Sequence, residues 1–156
     1  MRKSKYLIIN SFYFDFNNDL TDIINVKKLF KNQTVLDLER FNDLKIIKFN
    51  VFSENQIKHL RLPKNIEIIG EWAFENNKIE ILDLSNCNNL NEIDLYAFSN
   101  NPLQEIKILN KIIVSCSYSQ NLSYDAWDKF AKYYNDNNKK EGNYKLENNE
   151  WKWYPL

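Results

Sequence analysis

Three copies of one short pattern constrain this chain more than anything else in it. They are Val51-Phe52-Ser53-Glu54-Asn55, Ala73-Phe74-Glu75-Asn76-Asn77 and Ala97-Phe98-Ser99-Asn100-Asn101. Eight residues after each Phe begins an apolar-x-apolar step: Leu60 and Leu62, Leu82 and Leu84, Ile106 and Ile108. Self-similarity at 22 to 24 residues predicts a stacked-repeat solenoid. Such an array presents a surface rather than a deep pocket, which points towards binding.

The copies align position by position. Leu36 and Leu38 match Leu60 and Leu62, then Leu82 and Leu84. Leu44, Ile66 and Leu90 follow, then Ile47, Ile69 and Ile93. Seven residues separate the Leu44 position from the Val51 position in all three copies. Only the loop after the strand changes length. It takes six residues from Leu38 to Leu44 and from Leu84 to Leu90, but four from Leu62 to Ile66. A length change confined to one loop keeps every inward side chain in phase, as a shared core demands. Short strands with alternate residues inward should stack in parallel. The segment around Gly70-Glu71-Trp72-Ala73-Phe74 reads as a helical or 3₁₀ turn on the opposite side. The small Ala or Val beside each Phe leaves room for a column of rings. Asn55, Asn77 and Asn101 should close the turns by hydrogen-bonding backbone, and Asn also tolerates left-handed dihedrals.

The run Ile57-x-x-Leu60-x-Leu62-Pro63-x-x-Ile66-x-x-Ile69-Gly70-x-x-Ala73-Phe74 resembles the BspA-like, Treponema-type leucine-rich repeat. The resemblance covers roughly residues 34–114. Phe130 to Trp153 is similar to the tail that closes such arrays in related bacterial proteins. This implies an α/β leucine-rich-repeat solenoid with a parallel sheet on one face, short helical turns on the other and a cap at each end. It implies a bacterial adhesion or surface-recognition role through protein binding, with no catalytic residues and no cofactor.

Residues 1–33 read as an N-terminal cap or degenerate repeat, 34–116 as the repeats and 117–156 as a helix plus hairpin cap. In the first part Phe14-Asp15-Phe16 mimics a strand and a longer helix is expected around Thr21 to Phe30. In the last, Ser123 is the expected helix N-cap. Trp127, Phe130, Ala131 and Tyr134 share one helical face. Gly142 to Leu146 and Trp151 to Tyr154 read as a hairpin around Glu147-Asn148-Asn149-Glu150.

Balanced charge, 21 basic against 21 acidic residues, gives no drive towards nucleic acid. Two glycines are too few for a phosphate-binding loop. Cys87 and Cys116 have no CxxC partner, so no metal site is expected, and whether they pair is open. No segment is long enough to cross a membrane. Tyr6-Leu7-Ile8-Ile9 is too short for a signal-peptide core, so the chain as given is expected in the cytoplasm, although the resemblance implies a secreted or surface protein.

The outward strand positions are the candidate site. One row is Asp37, Arg61, Asp83 and Lys107; the next is Val35, His59, Ile81 and Glu105. Two readings stand. The alternating charges satisfy one another as a ladder across the strands, or they form a polar strip beside an apolar one anchored by Ile81. An unidentified protein is the expected partner. His59, the single histidine, has no nucleophile or second ligand beside it in the pattern. An alternative site is the aromatic hairpin Tyr144, Trp151, Trp153 and Tyr154, which would stack on a glycan. Its test is exposure: an exposed coplanar pair favours sugar, whereas burial of the tryptophans makes the hairpin part of the core.

Overall fold

The computed structural model describes residues 5–9, 12–16, 33–109, 111–116 and 125–156. A parallel β-solenoid of about three turns forms its centre. The front wall is built from β3 (Val35–Asp37), β5 (His59–Arg61), β7 (Ile81–Asp83) and β9 (Glu105–Ile108). On the opposite side, where only short helical turns were expected, a second parallel sheet precedes the turn segments. It consists of β4 (Ile46–Ile47), β6 (Ile68–Ile69), β8 (Glu92–Ile93) and β10 (Ile113–Val114) in the order β10-β8-β6-β4. Branched side chains at these positions favour strand over helix.

The turn after each second-sheet strand also refuses a helix. Asn50, Trp72 and Tyr96 have φ of 61°, 55° and 57°, and Glu54, Asn76 and Asn100 have φ of 57°, 56° and 56°. Two left-handed residues four apart break any right-handed turn. Isolated i→i+3 bonds such as Ala73 N–H to Gly70 O at 3.2 Å alternate with bonds to the next repeat. Phe52 N–H donates to Ala73 O at 2.8 Å and Phe74 N–H to Ala97 O at 2.7 Å. Left-handed geometry is unusual for Trp and Tyr. Their rings offset the strain by stacking, Trp72 on Tyr96 at 6.3 Å and on the edge of Phe49 at 5.1 Å. Gly70 marks a close approach: a Cβ there would lie 2.9 Å from Ile47 O in the neighbouring turn.

The core follows the aligned positions. Ile47, Ile69 and Ile93, with Phe52, Phe74 and Phe98, are fully buried. The Phe rings stack at 5.3 and 5.2 Å, nearly parallel. The Asn column does what the turns need, but the left-handed residues are those just before it, not Asn55, Asn77 and Asn101 themselves. Asn77 Nδ2 donates to Phe74 O in its own turn at 2.9 Å and to Phe52 O at 2.8 Å, and its Oδ1 accepts Ile57 N–H at 3.1 Å. Asn101 repeats the set with Phe98 O, Phe74 O and Ile79 N–H.

Helix α1 (Ala126–Asp136) is the one helix among the described residues. Trp127, Phe130, Ala131 and Tyr134 are buried on its inner face, and Trp127 meets Phe98 at 5.1 Å, continuing the ring column. Its N-cap is Asp125, which accepts Asp128 N–H at 2.9 Å; Ser123 lies outside the described residues. The second carboxylate oxygen of Asp125 accepts Asn100 N–H, tying the helix start to the last ring-bearing turn. Strand β11 (Gly142–Glu147) pairs antiparallel with β9, and β12 (Glu150–Tyr154) pairs with β11. Asn148 and Asn149, both at positive φ, make the two-residue hairpin turn.

Early in the chain, β1 (Lys5–Ile9) and β2 (Phe12–Phe16) form an antiparallel hairpin. The strand read at Phe14-Asp15-Phe16 is therefore present, but its neighbour is β1 and its pairing is not that of a stacked repeat. The helix expected over Thr21 to Phe30 lies outside the described residues.

Candidate functional site

The outer face of the front wall is set by strand alternation: with Leu36, Leu82 and Ile106 turned inward, their neighbours face out. Val35 and Ile81 are 51% and 55% exposed. His59, Arg61 and Asp83 are exposed, while Asp37, Glu105 and Lys107 are half-buried. The charged row pairs off in two units. Arg61 Nη1 lies 3.5 Å from Asp37 Oδ2, and Lys107 Nζ lies 3.7 Å from Asp83 Oδ2 and 3.8 Å from Glu105 Oε1. Each pair is at least partly open to solvent and adds little to stability.

The eight positions do not form one continuous sheet. β3 pairs only with β5, and β7 belongs to the sheet β12-β11-β9-β7. No ladder joins β5 to β7, so Arg61 and Asp83 are not hydrogen-bonded neighbours as equal stacking predicts. The break coincides with a change in sequence. In the first and third repeats the strand ends in Asp37 and Asp83, whose carboxylates accept Glu39 N–H at 3.0 Å and Ser85 N–H at 2.9 Å. There Leu38 N–H then reaches Arg61 O, and Leu84 N–H reaches Lys107 O, both at 2.9 Å. The middle repeat has Arg61 and Pro63 instead, which supply neither the acceptor nor the N–H. Leu60 is only partly buried as a result, unlike Leu36 and Leu82. A cleft of about 680 Å³ opens over the break.

Further surface residues emerge from the hairpin. In the β11–β9 register Asn143 faces Lys107 and Lys145 faces Glu105, so the outer face continues past the repeats. The signal for them was the alternation around inward Tyr144, but their neighbour in the sheet cannot be read from spacing alone.

The alternative aromatic site comes apart. Tyr144 and Trp151 lie in the core, each with its ring about perpendicular to Phe130. Trp151 Nε1 donates to Ala126 O at 2.9 Å. Trp153 and Tyr154 are 36% and 39% exposed, but adjacent strand residues point to opposite faces. Trp153 folds over Gly142 and donates to Glu141 O, so no coplanar pair of rings is presented. Cys87 and Cys116 are unbridged thiols. Burial, with a smaller contribution from Asp83, pushes the Cys87 thiol up to about 12, which keeps it protonated and unreactive at neutral pH. Among the described residues no helix is long and apolar enough to cross a membrane.

Comparison with curated proteins and with solved structures found no match. A family model does match: the BspA type leucine rich repeat region, in six copies over residues 24–124. That span is well over half of the chain and contains every repeat strand of both sheets. The chain belongs to the BspA-type leucine-rich repeat family.

Proposed function

We propose that this chain is a non-catalytic interaction module that docks a protein partner on the outer face of its front wall. In this reading residues 34–116 present the surface. Residues 117–156 close one end of the array, supported by the tilted ring contact of Trp127 with Phe98, and residues 1–33 cover the other. One observation carries the proposal: two large aliphatic side chains, Val35 and Ile81, stand more than half exposed in a row whose charged neighbours are already paired with one another. Apolar side chains held out on a rigid sheet lose little entropy on contact and release water when covered. The paired charges around them supply orientation more than affinity. An adhesive or surface-recognition role is the setting we favour, in keeping with the family.

The double variant Ile81→Arg/Asp83→Lys tests this. Ile81 is 55% exposed, so Ile81→Arg alone should keep the melting temperature within about 2 °C of wild type, as expected for a surface change near ±0.5 kcal/mol. Asp83→Lys also removes the carboxylate that accepts Ser85 N–H and pairs with Lys107, so the double variant should melt lower while remaining folded. Partner binding should be lost. Retained affinity in a folded double variant removes the front wall as the site.

A further inference from the structure

The break between β5 and β7 has a chemistry of its own. In the β3–β5 ladder His59 N–H donates to Thr34 O, and Arg61 O accepts Leu38 N–H, so these residues face β3. Parallel pairing alternates sides, which turns the N–H and C=O of Leu60 towards β7. In the β7–β9 ladder Glu105 N–H donates to Glu80 O and Leu84 N–H to Lys107 O, so Leu82 faces β9. The N–H and C=O of Ile81 and Asp83 therefore face β5. The bonds that would join these two edges are absent among the described residues. Two strand edges thus face each other across the cleft with the backbone groups of Leu60, Ile81 and Asp83 unmatched, while just before them Lys78 N–H still donates to Ile57 O at 2.8 Å.

We infer that this breach is a seat for an extended peptide segment of the partner, whose own backbone completes the interrupted ladder. The inference rests on the front wall being the docking face. Backbone edges are complementary to backbone, and strand addition is how an open edge is satisfied by another chain. The side chains around the cleft add a direction. Arg61 is held by Asp37 and Asp83 by Lys107. At the end where the strands begin, Lys58 and Lys78 outnumber Glu80; where they finish, Glu39 faces the cleft. The apolar surface between the two ends is Leu60 and Ile81. The fitting segment is acidic at the Lys58–Lys78 end, apolar at its centre and basic at the Glu39 end.

Seating it requires the breach to widen. Cα atoms across it approach within 8 Å, whereas a strand between two neighbours needs roughly 9.6 Å, twice the interstrand spacing. The second sheet and the Phe74–Phe98 stack continue unbroken behind the cleft. They provide the hinge about which the front wall opens.

The experiment is selection of linear peptides from a display library against the full chain, followed by synthesis of the best binder with single N-methyl groups along its backbone. Strand pairing predicts that binders carry the acidic–apolar–basic order, and that N-methylation at positions inside the breach weakens binding by about tenfold or more while flanking positions tolerate it. Amide exchange at Leu60, Ile81 and Asp83 should slow when the peptide binds. A binder lost in Ile81→Arg but indifferent to every N-methyl group overturns strand pairing and leaves the front wall as the site. A binder indifferent to both the N-methyl groups and Ile81→Arg places the site elsewhere and sinks both readings. Failure to select any linear peptide also overturns the inference.

Discussion

Asn77 has a side-chain amide that serves two turns at once. Its Nδ2 donates to Phe74 O and Glu75 O in its own turn and to Phe52 O in the turn before, while its Oδ1 caps the buried N–H of Ile57. Asn55 sits one repeat earlier; its Nδ2 donates to Phe52 O and Ser53 O, both in its own turn, and its buried Oδ1 has no hydrogen-bond partner among the described residues. The two residues differ in two contacts that only Asn77 makes, the bond to the preceding turn and the cap on Ile57 N–H. Asn77→Ala leaves Ile57 N–H buried and unmatched, at a cost of about 1–3 kcal/mol beyond the lost donor bonds. Asn55→Ala loses donor bonds alone. Thermal unfolding should therefore show a larger drop for Asn77→Ala, by about 2–4 °C per kcal/mol for a chain of this length. Equal drops would mean that neither the Ile57 contact nor the bond to Phe52 O in the preceding turn contributes. The Asn positions were legible because they recur at fixed distance from Phe. The left-handed residues were not, because two of them are Trp72 and Tyr96, types that local propensity assigns elsewhere.

At the scale of the element, the repeats show why some structure is readable and some is not. The front strands and the Phe column follow from period and alternation. The second sheet was missed because each of its strands is two residues long, and Ile46-Ile47 or Ile68-Ile69 carries no alternation to detect. Helix α1 was legible by contrast, since Trp127, Phe130, Ala131 and Tyr134 fall on one face. Its electrostatics appear only in the fold. Asp128 is buried in the first turn, and burial together with the adjacent Asp125 charge pushes its carboxyl up to about 6 from an ordinary 3.8. The folded chain then holds that proton more tightly than the unfolded chain. The stability this contributes is complete below about pH 4 and is lost as pH rises through about 6. Asp128→Asn removes the titrating group. Its melting temperature should exceed that of wild type at neutral pH, and the gap should vanish towards about pH 4. Parallel pH profiles for the two proteins would show that Asp128 is not held out of water as the fold places it.

For the whole molecule, the division of the front wall decides how the chain opens. Its candidate face was legible as two rows of outward residues, and Val35, Ile81 and the charged row stand where alternation places them. The break between them was not, because it depends on which backbone groups find partners, and the substitutions that accompany it, Arg61 and Pro63, keep the apolar spacing intact. Stability in a repeat array is local, being set by each interface with the next repeat. The interface between the second and third repeats retains the second sheet, the turn-to-turn bonds of Trp72, Phe74 and Asn76, and the Phe74–Phe98 stack, but it lacks the front ladder. Amide exchange on the free protein should read this directly. Phe52 and Phe74 N–H, bonded inside the buried turn wall, should exchange only with unfolding of the array. Leu60, Ile81 and Asp83 N–H, facing the cleft, should exchange faster by several orders of magnitude under the same conditions, while Leu38 and Leu84 N–H, at the two intact ladders, should stay protected. Exchange at Leu60 as slow as at Phe74 would mean that the ladder closes in solution. The cleft would then be shut in the free protein, and a peptide would have to break a formed sheet before it found an edge to join.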